Sequence, residues 1–256
     1  MTDIRQSKNY ARYMEAIGWI VKKGVFIRKM WFTSVVKAQR FSKVDLSVVK
    51  KYHPFLIKLE PLKETNFPGF KKDNWPLLPT KTLVLDLKKI NLPKDTRYEI
   101  RRVEKNGLRV LPSTNVDAFY KTLEETMKIG HWSVPIKKEV TALYRAFQPK
   151  KSQLLMTRES GCLLIWDGDT AHYMYAANTT RGRELGAAYL TLWEAIKFCQ
   201  KKKLKYLDLE GIYDERYPSQ TKHWRGFTKF KMGWGGKIVE YPGSWIKYRL
   251  LFFSRV

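Results

Sequence analysis

The sequence is poor in cysteine, in acidic residues and in long apolar runs, and each shortage excludes a class of protein. Cys162 and Cys199 are its two cysteines, which is too few for a disulfide framework and favours a reducing compartment, so we expect a cytoplasmic protein. No apolar run approaches the roughly 20 residues that a membrane-spanning helix needs. The first residues lack the continuous apolar segment of a secretory signal, so we expect none.

Metal-binding and sequence-reading motifs are also missing. The four histidines, His53, His131, His172 and His223, do not combine into C-x-x-C or H-x-x-x-H spacings, so the sequence predicts no metal. The patterns of helix-turn-helix, RNP and zinc-finger domains are not found, which argues against a sequence-specific DNA-binding protein.

Basic and aromatic residues are abundant instead. The 256 residues include 49 Lys plus Arg against 24 Asp plus Glu, a net charge of +25, and 14% are aromatic. Such a surplus favours an anionic partner: nucleic acid, an anionic membrane surface or a phosphorylated substrate. In the segment 222–227 the two residue types alternate, and Trp224 and Arg225 there are candidates to stack bases or clamp phosphates.

Hydrophobic periodicity predicts an α/β protein, most clearly in the second half. Helices are predicted at 115–130 and 137–147, followed by three antiparallel strands, a helix at 186–201, a strand at 205–212 and a last strand around 237–241. In the first half we expect a hairpin that turns near 31–34, strands at 53–61 and 82–87, and a basic helix at 94–106. The boundary is expected near 107–114, giving an N-terminal domain 1–110, a C-terminal domain 111–242, and a tail 243–256 that packs on the first domain.

Several segments, in chain order, resemble the FemABX family. They are Gln6-Ser7 with Gly18-Trp19, residues 81–87, the basic helix at 96–107, residues 192–196, residues 206–212 and residues 226–234. The resemblance implies two GNAT-like domains, of which the first is shortened. It also implies an aminoacyltransferase that moves an amino acid from aminoacyl-tRNA to a peptidoglycan precursor.

The resemblance further implies the partners. We expect aminoacyl-tRNA and a UDP- or lipid-linked precursor, no cofactor, a monomer, and a location in the cytoplasm. For the basic, apolar C-terminal segment, peripheral contact with the anionic inner membrane surface is the alternative to packing on the first domain.

Three residues are candidates for the chemistry. Lys231 lies in a Phe-Lys-Met-Gly stretch similar to the family's functional lysine segment, and a cation there can approach a phosphate or a developing oxyanion. Glu60 ends a strand where the family has an aspartate, and its carboxylate could accept the ammonium proton or hold the ammonium. Asp208 stands with Glu210 at the end of a strand, where α/β sheets place reactive groups.

Further residues are candidate contacts for the substrates. Lys37, Arg40 and Lys128 lie where the family binds the precursor's pyrophosphate. The aromatic side chains Tyr173, Tyr175 and Phe230 are candidates to line a cleft, and Arg101 and Arg102 are tRNA contacts or plain surface.

Two alternatives remain open from the residues. The stretch from Arg183 to Ala188 fits the R-x-x-G-x-A pattern by which GNAT enzymes hold the pyrophosphate of coenzyme A, with Gly186 before a helix N-terminus. An acyl-CoA-dependent N-acyltransferase is therefore the second hypothesis. The third is an inactive, basic RNA-binding module that has kept the fold.

Overall fold

The structure, a computed structural model, describes residues 3–130 and 132–249. The chain divides into two compact units that interleave in sequence. The first unit comprises the residues up to Lys81, Asp214–Lys222 and the segment from Glu240 onward. The second comprises Thr82–Tyr213 and His223–Val239.

The secondary structure is a mixture of helices and strands. The α-helices are α1 (Lys8–Ala16), α2 (Lys94–Lys105), α3 (Val116–Ile129), α4 (Lys137–Phe147), α5 (Thr180–Leu185), α6 (Ala187–Lys201), α7 (Pro218–Thr221) and α8 (Arg225–Met232). The strands are β1 (Ile20–Lys22), β2 (Val25–Met30), β3 (Thr33–Phe41), β4 (Pro54–Pro61), β5 (Lys71–Asp73), β6 (Lys81–Asp86), β7 (Leu111–Ser113), β8 (Ser152–Met156), β9 (Ser160–Asp167), β10 (Thr170–Asn178), β11 (Tyr206–Gly211), β12 (Lys237–Glu240) and β13 (Ser244–Tyr248). Short 3₁₀ helices lie at Ile4–Gln6, Leu46–Tyr52 and Lys222–Trp224.

The first unit is built on a six-stranded sheet in the order β1-β2-β3-β4-β13-β5. Strands β1 to β3 form an antiparallel meander, β4 runs parallel to β3, and β13 runs antiparallel to β4. The crossover from β3 to β4 contains only the 3₁₀ helix, whose Val49 closes an apolar core with Val36 and Leu59.

The second unit repeats this pattern on a larger scale. Its sheet has the order β12-β6-β11-β10-β9-β8-β7, with an antiparallel meander from β8 to β10, β11 parallel to β10, and β6 antiparallel to β11. Here the crossover is the 15-residue α6, which buries Leu192 and Ile196 against the sheet. Truncating one such side chain to alanine costs about 2–5 kcal/mol.

Helices cover both faces of the second sheet. Every residue from Ser160 to Trp166 of β9 is buried, as expected of a strand with a layer on each side. Helices α2 and α6 share one core cluster of apolar side chains with the sheet. Helices α3 and α4 contact β8 to β10 with buried side chains that do not belong to this core cluster, such as Phe119 and Leu143.

The structure confirms the predicted fold class: both units are GNAT-like, and the first is the shorter. One element differs, because the predicted helix at 186–201 is preceded by α5 and begins only after Gly186. That glycine has φ +74°, a left-handed conformation that separates the two helices.

The division into units differs from the boundary that the sequence suggests near 107–114. Strand β6 pairs with β11, and α2 packs on α6, so both belong to the second unit although they precede residue 107. From the predicted tail 243–256, Ser244–Tyr248 forms β13 in the first sheet, and residues 250–256 lie outside the described part. None of the described helices is long and apolar enough to cross a membrane.

Candidate functional site

The candidate site lies in the second unit, where the parallel strands β10 and β11 part. Their pairing runs from Thr170 and Tyr206 to His172 and Asp208 and then stops. A bulge interrupts β10 between Tyr173 and Tyr175 in its pairing with β9. The strands therefore diverge immediately beyond His172 and Asp208, and the side chains there can face a substrate.

Three titratable side chains meet at this point. The imidazole Nδ1 of His172 lies 2.8 Å from a carboxylate oxygen of Glu210 and 3.9 Å from one of Asp208. When the Glu210 carboxylate is ionised it can only accept, and Nδ1 of His172 then carries the proton in this bond. His172 and Asp208 are buried and Glu210 is half-buried.

Glu210 is held in an unusual backbone conformation. Its φ of +60° is left-handed, β11 is irregular between Asp208 and Gly211, and its backbone N–H donates to the Asp208 carboxylate at 2.7 Å. A non-glycine residue in this conformation costs about 1–2 kcal/mol. The strain turns the side chain of Glu210 toward His172.

Lys231, from α8, supplies a cation beside these carboxylates. Its Nζ donates to the backbone carbonyl of Gly211 at 2.7 Å and lies 4.8 Å from the centre of the Phe227 ring. Burial lowers the pKa of Lys231 to about 8, while the charges of Glu210 and Asp208 act in the opposite direction. An amine with this pKa can exchange protons near neutral pH.

Aromatic side chains flank the lysine. Phe227 packs edge-on against Trp132 at 5.6 Å and lies 5.7 Å from Trp224. Phe230, on the same helix, packs on Tyr189 at 5.0 Å. These aromatic rings shield the half-buried Lys231 from water on one side, which strengthens the electrostatic action of its charge.

The donors of His172, Asp208 and Glu210 lie within 4.8 Å of one another, so they could hold a metal ion. A histidine with two carboxylates suits several divalent metals. However, the same carboxylates face the Lys231 ammonium, which supplies positive charge at that place. We assign no metal to this cluster.

The structure brings together two of the three predicted catalytic residues, Lys231 and Asp208. Glu60 lies in the first unit, where it is 2% exposed. One of its oxygens accepts the backbone N–H groups of Leu77 and Leu78, at 2.5 and 3.0 Å. Burial raises the pKa of Glu60, and its contacts hold the loop after β5.

The predicted precursor contacts differ in accessibility. Arg40 is 2% exposed, donates to the carbonyl of Pro79 and stacks on the Tyr241 ring, so its guanidinium is engaged inside the first unit. Lys37 is half-buried, with Nζ 4.4 Å from the Trp19 ring centre. Lys128 is exposed at the end of α3.

The two predicted cleft tyrosines have different surroundings, because the bulge breaks the alternation between them. Tyr173 is packed in the core cluster beside Cys162, and burial raises its pKa. Tyr175 is half-buried near Glu139 and Glu210, and burial raises its pKa to about 12.

The predicted phosphate contacts lie on the surface of the second unit. Arg225 is exposed and donates to the Tyr213 hydroxyl at 3.1 Å, and Trp224 is half-buried. Arg101 and Arg183 are exposed, whereas Arg102 pairs with Glu99 and lies beside Gly186.

Sequence reasoning missed His172 as a member of the site, whereas it ranked Glu210 with Asp208 behind Lys231. Glu210 had a signal, since Asp208 and Glu210 alternate at the end of one strand. His172 had none, because only the pairing of β10 with β11 places it opposite Asp208.

In the second unit, titratable groups thus lie where a bulged strand diverges from its parallel neighbour, within a GNAT-like α/β fold. Residues 136–251 match the model of the FemAB family. That segment is a little under half of the chain, and it is what this chain shares in sequence with the FemAB family. Among curated proteins, none matches this chain.

Solved structures show the same fold. A crystal structure of FemX superposes with a TM-score of 0.77 and 14% identity, covering 96% of this chain and 92% of that one. L-PGS from Bacillus licheniformis superposes with a TM-score of 0.56 and 11% identity, covering 88% of this chain and 80% of that one. A conserved protein of unknown function from Bacteroides thetaiotaomicron gives 0.58, with 13% identity over 96% and 92%.

Proposed function

We propose that the protein transfers an amino acid from aminoacyl-tRNA to an amine of a peptidoglycan precursor peptide by direct attack. The observation that carries the proposal is the cluster of Lys231, Glu210, His172 and Asp208 where β10 and β11 diverge. The cluster belongs to the segment that matches the FemAB family.

The reaction sets the demands on the site. The acceptor ammonium must first lose a proton, since only the neutral amine attacks the ester carbonyl. A bond then forms between nitrogen and carbonyl carbon, the nitrogen gives up a second proton, the carbon–oxygen bond to the ribose breaks, and the ribose oxygen takes up a proton. Negative charge develops on the carbonyl oxygen in between, so the site needs a proton acceptor, a proton donor and a positive charge.

The cluster offers these groups. The carboxylates of Glu210 and Asp208 hold the acceptor ammonium, and the hydrogen-bonded Glu210–His172 pair receives its proton. Lys231 stabilises the oxyanion and, with a pKa of about 8, can donate a proton to the departing ribose oxygen near neutral pH.

Buried thiols support direct attack over a covalent acyl-enzyme. Cys162 and Cys199 are both buried in the core. Burial raises the pKa of Cys162 and raises that of Cys199 to about 12. Neither thiol forms the thiolate that a nucleophile requires near neutral pH.

Surface residues of the second unit suit a nucleotide end. In the proposal Trp224 stacks on a base and Arg225 meets a phosphate of the tRNA. Lys37 and Lys128 keep their predicted role as contacts of the precursor's pyrophosphate, whereas the buried Arg40 holds its own unit together.

The second candidate is an N-acyltransferase that uses acyl-CoA. It is favoured by Gly186, which belongs to the R-x-x-G-x-A pattern and whose left-handed backbone immediately precedes α6. Helix α5 occupies the six residues before Gly186.

The test offers radiolabelled aminoacyl-tRNA or radiolabelled acyl-CoA to the full-length protein, with a UDP-linked or a lipid-linked precursor. We expect label to reach the precursor from aminoacyl-tRNA. Label that arrives only from acyl-CoA would support the second candidate, and binding of tRNA without transfer would support the inactive module.

Matched variants tie the activity to the site. Lys231→Met should reduce kcat by at least about a hundredfold, because a donor to the oxyanion is lost. Lys229→Met removes an exposed lysine two positions away on the same helix and should leave the rate unchanged. Equal rates for the two variants would remove Lys231 from the mechanism.

A further inference from the structure

The tip of the hairpin between β2 and β3 exposes three consecutive large apolar side chains. Trp31 is 99% exposed, Phe32 55% and Met30 48%. Trp31 also has φ +46°, a conformation that asparagine or glycine adopts at lower cost. A tryptophan that is fully exposed and has a strained backbone conformation does not stabilise the hairpin. We therefore expect it to contact a partner outside the unit.

This tip is fixed to a basic surface. The Thr33 hydroxyl donates to the carbonyl of His53 at 2.7 Å, and the Ser34 hydroxyl donates to that of Tyr52 at 2.8 Å. Lys29 and Lys51 both lie over the Tyr52 ring, with Nζ 5.9 and 5.5 Å from its centre. We call this surface the tip patch; it comprises Lys29, Met30, Trp31, Phe32, Lys50 and Lys51.

The charge around the tip patch is almost entirely positive. Between residues 20 and 53 the sequence has one acidic residue, Asp45, and nine Lys or Arg. Asp45 is paired with Lys23 at 3.1 Å. Lys29, Lys50 and Lys51 are all exposed, so the apolar tip carries a cationic rim.

We propose that the tip patch docks on an anionic phospholipid bilayer, with Trp31, Phe32 and Met30 entering the interface and the lysines meeting the headgroup phosphates. Tryptophan and phenylalanine favour the interfacial zone, and basic residues add electrostatic attraction to anionic lipid. The inference does not rest on the proposed transfer reaction.

The geometry favours a lipid over an RNA partner. The Trp31 and Phe32 rings are tilted by 48° with centres 5.9 Å apart, so they do not form the parallel platform on which successive bases stack. Met30 has no planar face to offer a base, whereas its thioether chain is suited to the acyl boundary of a bilayer.

Sedimentation with vesicles tests the proposal on the full chain. Wild-type protein should bind vesicles that contain phosphatidylglycerol and bind weakly to pure phosphatidylcholine. The double variant Trp31→Asn, Phe32→Ser should bind the anionic vesicles at least about tenfold less, since its apolar anchor is gone. Lys50→Ala with Lys51→Ala should weaken binding about fivefold per lysine. Trp75→Asn, which removes a tryptophan that is 62% exposed elsewhere in the same unit, is the matched control.

Fluorescence locates the inserted side chain without depending on the double variant. Brominated lipid should quench wild-type protein more than Trp31→Phe, which keeps an apolar tip and should still sediment with the vesicles. Equal quenching of the two would show that Trp31 stays outside the bilayer and would overturn the proposal.

Three sedimentation results would also overturn it. The first is equal binding of the wild-type protein to neutral and anionic vesicles. The second is binding of the double variant to anionic vesicles that is as tight as that of wild type. The third is a double variant that no longer binds aminoacyl-tRNA but still binds the vesicles. The last result would assign the patch to nucleic acid. The transfer activity of the same double variant is also measured with a soluble UDP-linked precursor. This assay separates a failure of the membrane proposal from a failure of the proposed function.

Discussion

Replacing Lys231 with methionine should stabilise the protein near neutral pH while removing its proposed activity. Methionine keeps an unbranched apolar chain over the Phe227 ring and removes the charge. The charge is costly because burial removes water from the amine, and its pKa falls from 10.5 to about 8 although Glu210 and Asp208 act in the opposite direction. The folded state therefore holds this proton less firmly than the unfolded chain does.

The size of the effect follows from the two pKa values. Each unit of pKa corresponds to about 1.4 kcal/mol, so the charged form costs the folded state about 3 kcal/mol near pH 7. Because the folded-state pKa of Lys231 is depressed, this penalty is fully present below about pH 8 and disappears as the pH rises through 10.5. Methionine also loses the hydrogen bond to the Gly211 carbonyl, which offsets about 1 kcal/mol at every pH. The net gain near neutral pH is about 2 kcal/mol.

Urea denaturation of both proteins, near pH 7 and again near pH 10, measures this difference. The free energy of unfolding of Lys231→Met should exceed that of wild type near pH 7, and the advantage should shrink by about 2 kcal/mol near pH 10. Lys229→Met should show neither change, since Lys229 is exposed. If Lys231→Met is less stable than wild type near pH 7 while Lys229→Met is normal, the reasoning is refuted, because the lysine charge would then stabilise the fold.

Three further changes have defined outcomes. His172→Asn should lower kcat at least about a hundredfold with little change in KM, and steady-state kinetics with unchanged kcat would exclude His172 from proton transfer. Glu60→Ala should lower the free energy of unfolding by about 2–3 kcal/mol, because two backbone N–H groups lose their buried acceptor; an unchanged urea midpoint would contradict that role. Asn115→Ala should cost about 1 kcal/mol by removing the cap of α3, whereas Asn115→Asp should not; equal thermal midpoints for both variants would contradict the capping role.

Local sequence signals predict most of the second unit. Asn115 caps α3 as its position before the apolar repeat suggests, and the three strands of the meander follow at their predicted places. These elements are specified by periodicity and turn residues over a few positions, which is why they are readable from the sequence.

The division into units depends instead on long-range pairing. Strand β6 joins β11, more than a hundred residues later, and β13 inserts between β4 and β5 near the other end of the chain. No local pattern encodes these partners, because the pairing of a strand is decided by the faces that the complete sheet buries.

Only part of the candidate site can be predicted from the sequence, for the same reason. Lys231 and Asp208 stand in segments with a recognisable resemblance, whereas His172 lies in an ordinary strand. Its role follows from the register that sets it opposite Asp208 and from the left-handed Glu210 that turns toward it. Such strained positions oppose local propensity, and sequence reasoning fails at them for that reason.

The two units repeat one arrangement with different chemistry, which favours the second unit as the place of the proposed reaction. In the first unit Gln39 pairs with Glu60 across parallel strands just before an irregularity at Arg40, as His172 pairs with Asp208 before the bulge of β10. The Glu60 carboxylate receives backbone N–H groups, which fix a loop and cannot accept or release protons during a reaction. The carboxylates of the second unit face an imidazole and an amine whose pKa is about 8. Because an amine with this pKa can exchange protons near neutral pH, the second unit has groups suited to the proposed acyl transfer, whereas the shortened first unit keeps the architecture without them.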